Sequence, residues 1–202
     1  MRSIVCAVVL GLMVGLPVTG VARADDVFSE QVEKAQQFYL QKNLPRANAA
    51  LQQALIIVQD RLGETLSKAM PPPPAGWEAN DIETEGLNDL GGGIRVGRSY
   101  FRKDGATLGI QIYIDSAPVQ EAITAFADID SAKGQPGVSV VMLDSDPALL
   151  RWDQSAKSGE IQLVINNRAL VYIEADQIDS EELLVTMIKG FDFNLIRKQV
   201  EF

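Results

Sequence analysis

Carboxylates and arginines are the side chains of this sequence that offer the most chemistry. Glu174, Asp176 and Asp179 begin an acidic run that continues with Glu181 and Glu182. Carboxylate oxygens are the ligands that a hard cation such as calcium prefers. The chain has no histidine, so histidine-based catalysis and the usual nitrogen ligands of zinc and copper are missing. The run predicts a solvated face or a weak divalent-cation site with Glu174, Asp176 and Asp179 as candidates, and we expect no catalytic residue and no cofactor.

A second polar group follows the glycine-rich turn Leu90–Gly93. Arg95, Arg98 and Tyr100 lie on the predicted strand Ile94–Arg102 and offer donors to a small ligand. The turn itself lacks the Gly-Lys-Ser/Thr element and the following helix of a phosphate-binding loop. Paired carboxylates are also the machinery of glycoside hydrolysis, but nothing singles out one pair among 27 acidic residues. A carboxylate-based hydrolase is therefore the most distant functional alternative.

The first 24 residues have the layout of a secretory signal peptide. Arg2 precedes a mostly apolar run from Ile4 to Val21, and Ala22-Arg23-Ala24 forms a small-x-small cleavage site. A single membrane anchor is the alternative for an apolar run of this length. Pro17 and the small residues at the end of the run favour cleavage after Ala24. We therefore expect a periplasmic protein with no stable membrane anchor after cleavage.

The chain that remains after cleavage is acidic and lacks cysteine. Removal of residues 1–24 takes away Arg2, Arg23 and Cys6, and it leaves 16 basic and 27 acidic side chains, a net charge of −11. A chain of this charge repels nucleic acid and anionic lipid head groups. Without cysteine it has neither disulfide nor thiol chemistry. The composition therefore argues against nucleic-acid binding and against a cysteine nucleophile.

Residues 25–70 are predicted to form a helical hairpin arm. Apolar residues recur at helical spacing from Phe28 to Tyr39, with Ser29 as the expected N-cap, and Pro45 suits the start of a second helix. The apolar face of the second helix extends to Ala69. We expect this face to be buried against one of three partners: the following domain, a second subunit or another protein. The candidate partner-binding residues are Phe28, Val32, Phe38, Tyr39, Leu51, Leu55, Val58, Leu62 and Trp77.

The hairpin resembles a single degenerate tetratricopeptide repeat over residues 30–58. Ala47, Leu51 and Ala54 match the small-large-small pattern of the second helix of that repeat. Tyr39 matches the large residue near the end of its first helix. An ordinary helical hairpin is the alternative. Repeats of this kind need neighbours to bury their faces, so the resemblance also implies a partner for the apolar side.

A run of four prolines, Pro71–Pro74, separates the arm from the rest of the chain. Proline fixes φ and has no N–H donor, so residues 71–76 are expected to form a rigid polyproline II linker. Residues 77–202 are predicted to form strands, a helix, several closely spaced strands and a second helix, in that order. We expect Gly190 to end that last helix in a left-handed conformation and an extended segment to follow from Phe191 to Leu195.

This order of elements predicts the α+β class, with two helices packed on an antiparallel sheet. Over residues 77–195 it is similar to the Mog1/PsbP-like family of αβα sandwiches. The resemblance implies a non-catalytic accessory role beside a larger assembly. With the missing catalytic residues, it predicts an exported adaptor that binds a protein partner, or a second copy of itself, through the arm and the body. A small-ligand or divalent-cation-binding module is the alternative.

Overall fold

The computed structural model describes residues 22–144 and 146–201, which fold as an α+β protein. Of the predicted signal peptide, residues 1–21 lie outside this part of the chain. Two compact units are present, one ending at Ala54 and the other beginning at Leu55. The helices are α1 (Ala22–Leu40), α2 (Leu44–Ser67), α3 (Ala117–Phe126), α4 (Ile129–Ala132), α5 (Glu182–Lys189) and α6 (Phe193–Val200). The strands are β1 (Trp77–Ala79), β2 (Glu83–Gly86), β3 (Ile94–Arg102), β4 (Thr107–Ile114), β5 (Val138–Leu143), β6 (Asp146–Asp153), β7 (Ser158–Ile165) and β8 (Ala169–Asp176).

The helical hairpin predicted from the sequence is present as α1 and α2, and the first unit contains α1 and the part of α2 that ends at Ala54. A short turn joins α1 to α2, and its Lys42 has a φ of 59°. The Arg46 guanidinium at the start of α2 lies 5.6 Å from the centre of the Phe38 ring near the end of α1. Ser29 lies inside α1 and is not its N-cap, because the good helix formers Ala22–Ala24 extend the helix upstream. From Val27 to Ala54, where the structure describes the side chains, the buried ones are small: Ala35, Ala47, Ala50 and Ala54.

One antiparallel sheet of eight strands forms the centre of the second unit. Its order is β1-β3-β4-β8-β7-β6-β5, and β2 also pairs with β3. The predicted strand Ile94–Arg102 is β3, and a turn containing Asp104 and Gly105 leads into β4. Strands β5 to β8, which include the closely spaced strands predicted from the sequence, form an antiparallel meander. On β4 the apolar residues of the alternating pattern are all buried: Leu108, Ile110, Ile112 and Ile114.

Helices pack on both faces of this sheet, which confirms the αβα sandwich. On one face, side chains of α5 and α6 such as Leu184, Ile188 and Ile196 join the main hydrophobic cluster. On the other face, Val119 and Ala122 of α3 form a smaller cluster with Leu170 of β8. Each fully buried aliphatic side chain of this kind stabilises the fold by about 1.5–3 kcal/mol. The first of these two faces therefore supplies most of the core.

The end of α2 and the proline segment are part of the second unit. Leu66 and Ala69 belong to its main hydrophobic cluster. The Tyr100 hydroxyl donates a 3.0 Å hydrogen bond to the carbonyl of Pro71, which is itself buried. The Asp192 N–H donates to the Ala69 carbonyl at 3.0 Å. Residues far away in the sequence thus bind the start of this segment, and the two units divide upstream of it, within α2.

The last residues correct two expectations. Gly190 has a φ of −80° and is not left-handed. The segment expected to be extended from Phe191 instead leads into the helix α6. The Asp192 side chain accepts a hydrogen bond from the Leu195 N–H at 3.1 Å, which makes it an N-cap. Burial of Ile196 and Val200 then favours a helix over an extended chain.

Candidate functional site

Polar side chains occupy part of the sheet face on which α3 packs. The strand registers align Gly109 of β4, Glu174 of β8, Glu160 of β7 and Arg151 of β6 in one row across the sheet. Glu174 and Glu160 are direct cross-strand neighbours, an arrangement in which like charges repel. Gly109 leaves room in this row, because a Cβ atom there would lie 3.2 Å from Glu174 Oε1. The row therefore places two carboxylates side by side above the sheet.

Hydrogen bonds connect the members of this row to Tyr172. Glu160 accepts from Arg151 Nη1 at 2.7 Å and from Gln162 Nε2 at 3.1 Å. The Tyr172 hydroxyl lies 2.9 Å from Glu160 Oε2 and 3.2 Å from Glu174 Oε2. A hydroxyl has one hydrogen, so it can donate to one of these two carboxylates at a time. The row carries two negative charges against the one positive charge of Arg151.

The Tyr172 side chain titrates far from its usual range. Burial raises the pKa of its hydroxyl, and the hydrogen bond to Glu160 and the negative charges of Glu160 and Glu174 raise it further. Each of these effects disfavours a third negative charge at the same place. Tyr172 is consequently a neutral hydrogen-bond donor at neutral pH. It is not poised to act as a base there.

Two cavities open above the row and share Arg151 and Tyr172. The larger has a volume of about 480 Å³ and is bordered by Trp152, Asp176 and the segment Gln135–Val138. The smaller, of about 290 Å³, lies between α3 and the sheet. Pockets of a few hundred Å³ with a few convergent polar groups are typical of small-molecule sites. We call the larger cavity with Glu160, Glu174, Arg151 and Tyr172 the sheet cleft.

The predicted ligand-binding residues line two different cavities, with Tyr100 at one of about 290 Å³ and the two arginines at a much smaller one. Arg95 donates to Glu85 at 3.0 Å, and Arg98 donates to the Asn80 carbonyl at 2.9 Å. These two arginines line a cavity of about 60 Å³, which has space for only one or two water molecules. Tyr100 is buried, and its hydroxyl is used by the Pro71 carbonyl. Burial also raises its pKa.

Of the predicted cation-site residues, Glu174 and Asp176 line the same cavity and Asp179 lies apart from it. Glu174 belongs to the sheet cleft, whereas Asp179 pairs with Lys157 at 3.1 Å and with Arg102 at 3.8 Å. Asp176 borders the cleft. Among the residues that the structure describes, no three His, Cys, Asp or Glu side chains converge so that they could hold a metal ion. The acidic run is divided between the end of β8 and the loop before α5, and this separates its carboxylates.

The predicted partner-binding residues differ in their exposure. In the first unit, Val32, Tyr39 and Leu51 are exposed, whereas Phe28 and Phe38 are half-buried. In the second unit, Leu55 and Val58 are exposed, and Leu62 packs partly against the main cluster. Trp77 is only 8% exposed and lies in that cluster, with the Arg102 guanidinium 5.3 Å from its ring centre. Little of the Trp77 surface is left for a partner.

Sequence reasoning missed Glu160, Arg151 and Tyr172 as members of a site. Each is a polar residue on a strand whose neighbours in sequence are apolar, which by itself indicates only a face that is not core. Their convergence depends on which strands are adjacent and in which register. A usable signal was present in the closely spaced meander, because Glu160 and Glu174 alternate with apolar residues on consecutive strands.

Comparisons with known proteins add no family to this description. No protein-family model matches the chain, and neither the curated proteins nor the solved structures contain a match to it. The similarity to Mog1/PsbP-like proteins therefore rests on element order alone. Within the described residues, no helix has the length and apolar character needed to cross a membrane.

Proposed function

We propose that this protein is an exported, non-enzymatic accessory protein that binds a protein partner through its helical hairpin. The observation that carries the proposal is a group of exposed apolar side chains in the first unit. Tyr39 is 66% exposed and Leu51 is 55% exposed, and Leu40 and Leu44 are exposed on the two sides of the turn. We call these four residues with Val32 the hairpin patch.

Physical chemistry favours a protein as the occupant of this patch. Single exposed apolar side chains are ordinary, but a group of them on one small element costs solvation free energy that a partner would recover. Tyrosine concentrates binding energy in protein interfaces because it buries a large area at little cost in conformational entropy. Among the described residues of the same unit, the buried side chains are alanines, and several larger apolar side chains are left exposed.

The export and the lack of catalysis rest on the sequence. The signal-peptide layout supports a periplasmic location, and the absence of histidine leaves few groups that titrate near neutral pH. The acidic balance supports a protein partner and not a nucleic acid. These points support an accessory role, and the hairpin patch is the surface through which we propose that the partner binds.

Crosslinking with matched variants tests the proposal. The tagged protein, expressed with its own leader, is crosslinked in the periplasm and compared with Tyr39→Glu and Leu51→Glu. Gln37→Glu and Gln53→Glu are controls, because both glutamines are exposed on the same two helices and receive the same charge. We expect a defined partner that the control variants retain and the patch variants lose, and that binds the purified protein directly. Recovery of no reproducible partner, or equal recovery by all variants, would refute the proposal.

The sheet cleft supports a second candidate function, the binding of a small ligand with a positively charged group. Its volume of about 480 Å³ and its net negative row of two carboxylates and one arginine suit an ammonium or a guanidinium group. Trp152 at the border of the cleft offers an aromatic surface to such a group.

Thermal shift measurements distinguish this candidate from the first. The probes are L-lysine, L-arginine, spermidine, calcium, manganese and, as anionic controls, phosphate and succinate. We expect stabilisation by an organic cation that Glu174→Gln abolishes and Glu181→Gln, an exposed control, preserves. No shift with any organic cation would eliminate the ligand candidate and leave the hairpin proposal standing.

A further inference from the structure

Strand β5 is an edge strand without the usual protection of an edge. It pairs with β6 and ends the strand order of the sheet. Natural edge strands are commonly guarded by charged residues or proline, because their free N–H and C=O groups attract another strand. The sequence of β5, Val138-Ser139-Val140-Val141-Met142-Leu143, contains neither. Met142 is 58% exposed.

The hydrogen-bond pattern shows which backbone groups face the free edge. The Trp152 N–H donates to the Gly137 carbonyl at 2.8 Å, so these opposite residues form a hydrogen-bonded pair. Such pairs alternate with non-hydrogen-bonded pairs along an antiparallel ladder. Residues 138, 140 and 142 therefore direct their backbone groups away from β6. The Val138 N–H is already used, because it donates to the Gln135 carbonyl at 3.2 Å, so the outward donors are those of Val140 and Met142. The pairing of Met142 with Pro147 agrees with this, because proline has no N–H to donate.

We propose that β5 pairs with β5 of a second copy of this chain, antiparallel about a two-fold axis through Val140. Val140 then lies opposite Val140 of the second copy, and Val138 lies opposite Met142. The N–H of Val140 donates to the Val140 carbonyl across the axis, and the N–H of Met142 donates to the Val138 carbonyl. Each bond occurs twice by symmetry, and the two sheets become continuous.

The strand is its own complement in this register, which favours a second copy over an unrelated segment. Val138, Val140 and Met142 share one side of the strand, and together with their symmetry mates they form an uninterrupted apolar strip. Ser139 lies opposite Val141 on the other side. An interface between two copies uses the same patch twice, so donors and acceptors must match under the two-fold rotation. The outward donors of residues 140 and 142 match the outward acceptors of residues 140 and 138.

Charge also favours this part of the molecule as the place where two copies meet. The whole chain carries a formal net charge of −9, so two copies repel each other over most of their surface. Residues 134–143 contain no charged side chain. Asp144, the first acidic residue after the strand, falls opposite Pro136 of the second copy. No like charges therefore face each other along the paired strands.

A disulfide tests the register directly. Cys6 is the only cysteine, so Val140→Cys in a Cys6→Ser background places one thiol per chain on the two-fold axis. Opposite Cα atoms in a hydrogen-bonded antiparallel pair are about 5.5 Å apart, which a disulfide can span. Gln154→Cys, in the exposed turn between β6 and β7, is the matched control. We expect Val140→Cys to form crosslinked dimer at least about tenfold faster than the control, because pairing raises the effective thiol concentration. Equal rates would overturn the proposal.

Mass measurements in solution test the pairing without a crosslink. Light scattering after size exclusion is expected to give the mass of two chains for the wild type and for Val140→Thr. Val140→Lys places two ammonium groups opposite each other and is expected to give the mass of one chain. If circular dichroism shows that Val140→Lys is unfolded, Met142→Lys replaces it, since that side chain is exposed. A wild-type protein that stays a single chain at about 100 μM, far above the Kd of a specific dimer, would overturn the proposal.

Hairpin variants separate this dimer from association through the first unit. Tyr39→Glu and Leu51→Glu are expected to keep the two-chain mass, because neither residue lies on β5. If they give single chains while Val140→Lys stays a dimer, the association is through the hairpin and the β5 proposal is wrong. The partner-binding function stands or falls separately on its own crosslinking experiment.

Discussion

Replacement of Leu66 by alanine probes whether the end of α2 is part of the core. Leu66 is 0% exposed and belongs to the main hydrophobic cluster of the second unit. Leu55 lies earlier on the same helix and in the same unit, but its side chain is exposed. The two substitutions remove the same atoms from two different environments. Their difference therefore measures the packing of this helix on the sheet.

The expected cost follows from burial and from the cavity left behind. Leucine to alanine removes three carbon groups, worth about 2.4 kcal/mol at about 0.8 kcal/mol each. An unfilled cavity adds to this, so we expect Leu66→Ala to lower the free energy of unfolding by about 3–4 kcal/mol. Such a loss corresponds to a Tm about 6–16 °C lower for a chain of this length. Leu55→Ala should cost at most about 1 kcal/mol, because much of its side chain is already in water.

Urea denaturation followed by tryptophan fluorescence provides the assay. The sequence contains two tryptophans, Trp77 and Trp152, and both lie in the second unit. The signal therefore reports the unit in which both substitutions are made. Equal and small shifts of the urea midpoint for Leu66→Ala and Leu55→Ala would refute the packing of α2 on the sheet. The second unit would then begin later in the chain than the structure shows.

Three further predictions concern single contacts. Tyr100→Phe removes the donor to the buried Pro71 carbonyl, and it should lower the free energy of unfolding by about 1–3 kcal/mol in urea titrations; an unchanged midpoint would contradict this. The pKa of Tyr172 is raised in the folded protein, so its share of the stability is complete below about pH 10 and is lost as the pH rises further. Above about pH 10, the free energy of unfolding should therefore fall less steeply with pH in Tyr172→Phe than in the wild type, by up to about 1.4 kcal/mol per pH unit. Identical slopes for the two proteins would contradict the raised pKa of Tyr172. Gly93→Ala should lower the free energy of unfolding by at least about 1–3 kcal/mol, because φ is +89° and the new Cβ would lie 2.3 Å from the Ile114 carbonyl oxygen. Gly134→Ala is the control and should change the stability little, because its Cβ would lie 3.5 Å from the nearest atom.

The proline segment shows how far a local rule extends. Four prolines exclude helix and sheet ladder, and the structure has neither between Pro71 and Pro74. The rule does not say what the segment touches. Tyr100, 29 residues later, bonds to the Pro71 carbonyl, and the Asp192 N–H bonds to the Ala69 carbonyl just before it. These partners are distant in sequence, so local reasoning could not predict these contacts.

The sheet cleft shows the same limit for function. The alternation of polar and apolar residues predicts the strands β7 and β8, which contain Glu160 and Tyr172. The sequence does not predict which strands are neighbours in the sheet. The contact between Tyr172 and Glu160 depends on that adjacency and on the register of the two strands. The arginines favoured from the sequence instead bind the Glu85 carboxylate and the Asn80 carbonyl. Proximity in sequence was a poor guide to convergence in space.

The sequence by itself determined the class of this protein and the limits of its chemistry. Periodicity placed the hairpin, the strands and α5, because side-chain direction follows backbone geometry over a few residues. The absence of histidine from the sequence excluded histidine-based catalysis. Only the tertiary structure decided that Trp77 and Tyr100 are buried, that the acidic run is divided, and that β5 is left at an edge. Each of these outcomes depends on contacts between residues far apart in the chain, and those contacts form only when the whole sheet is assembled.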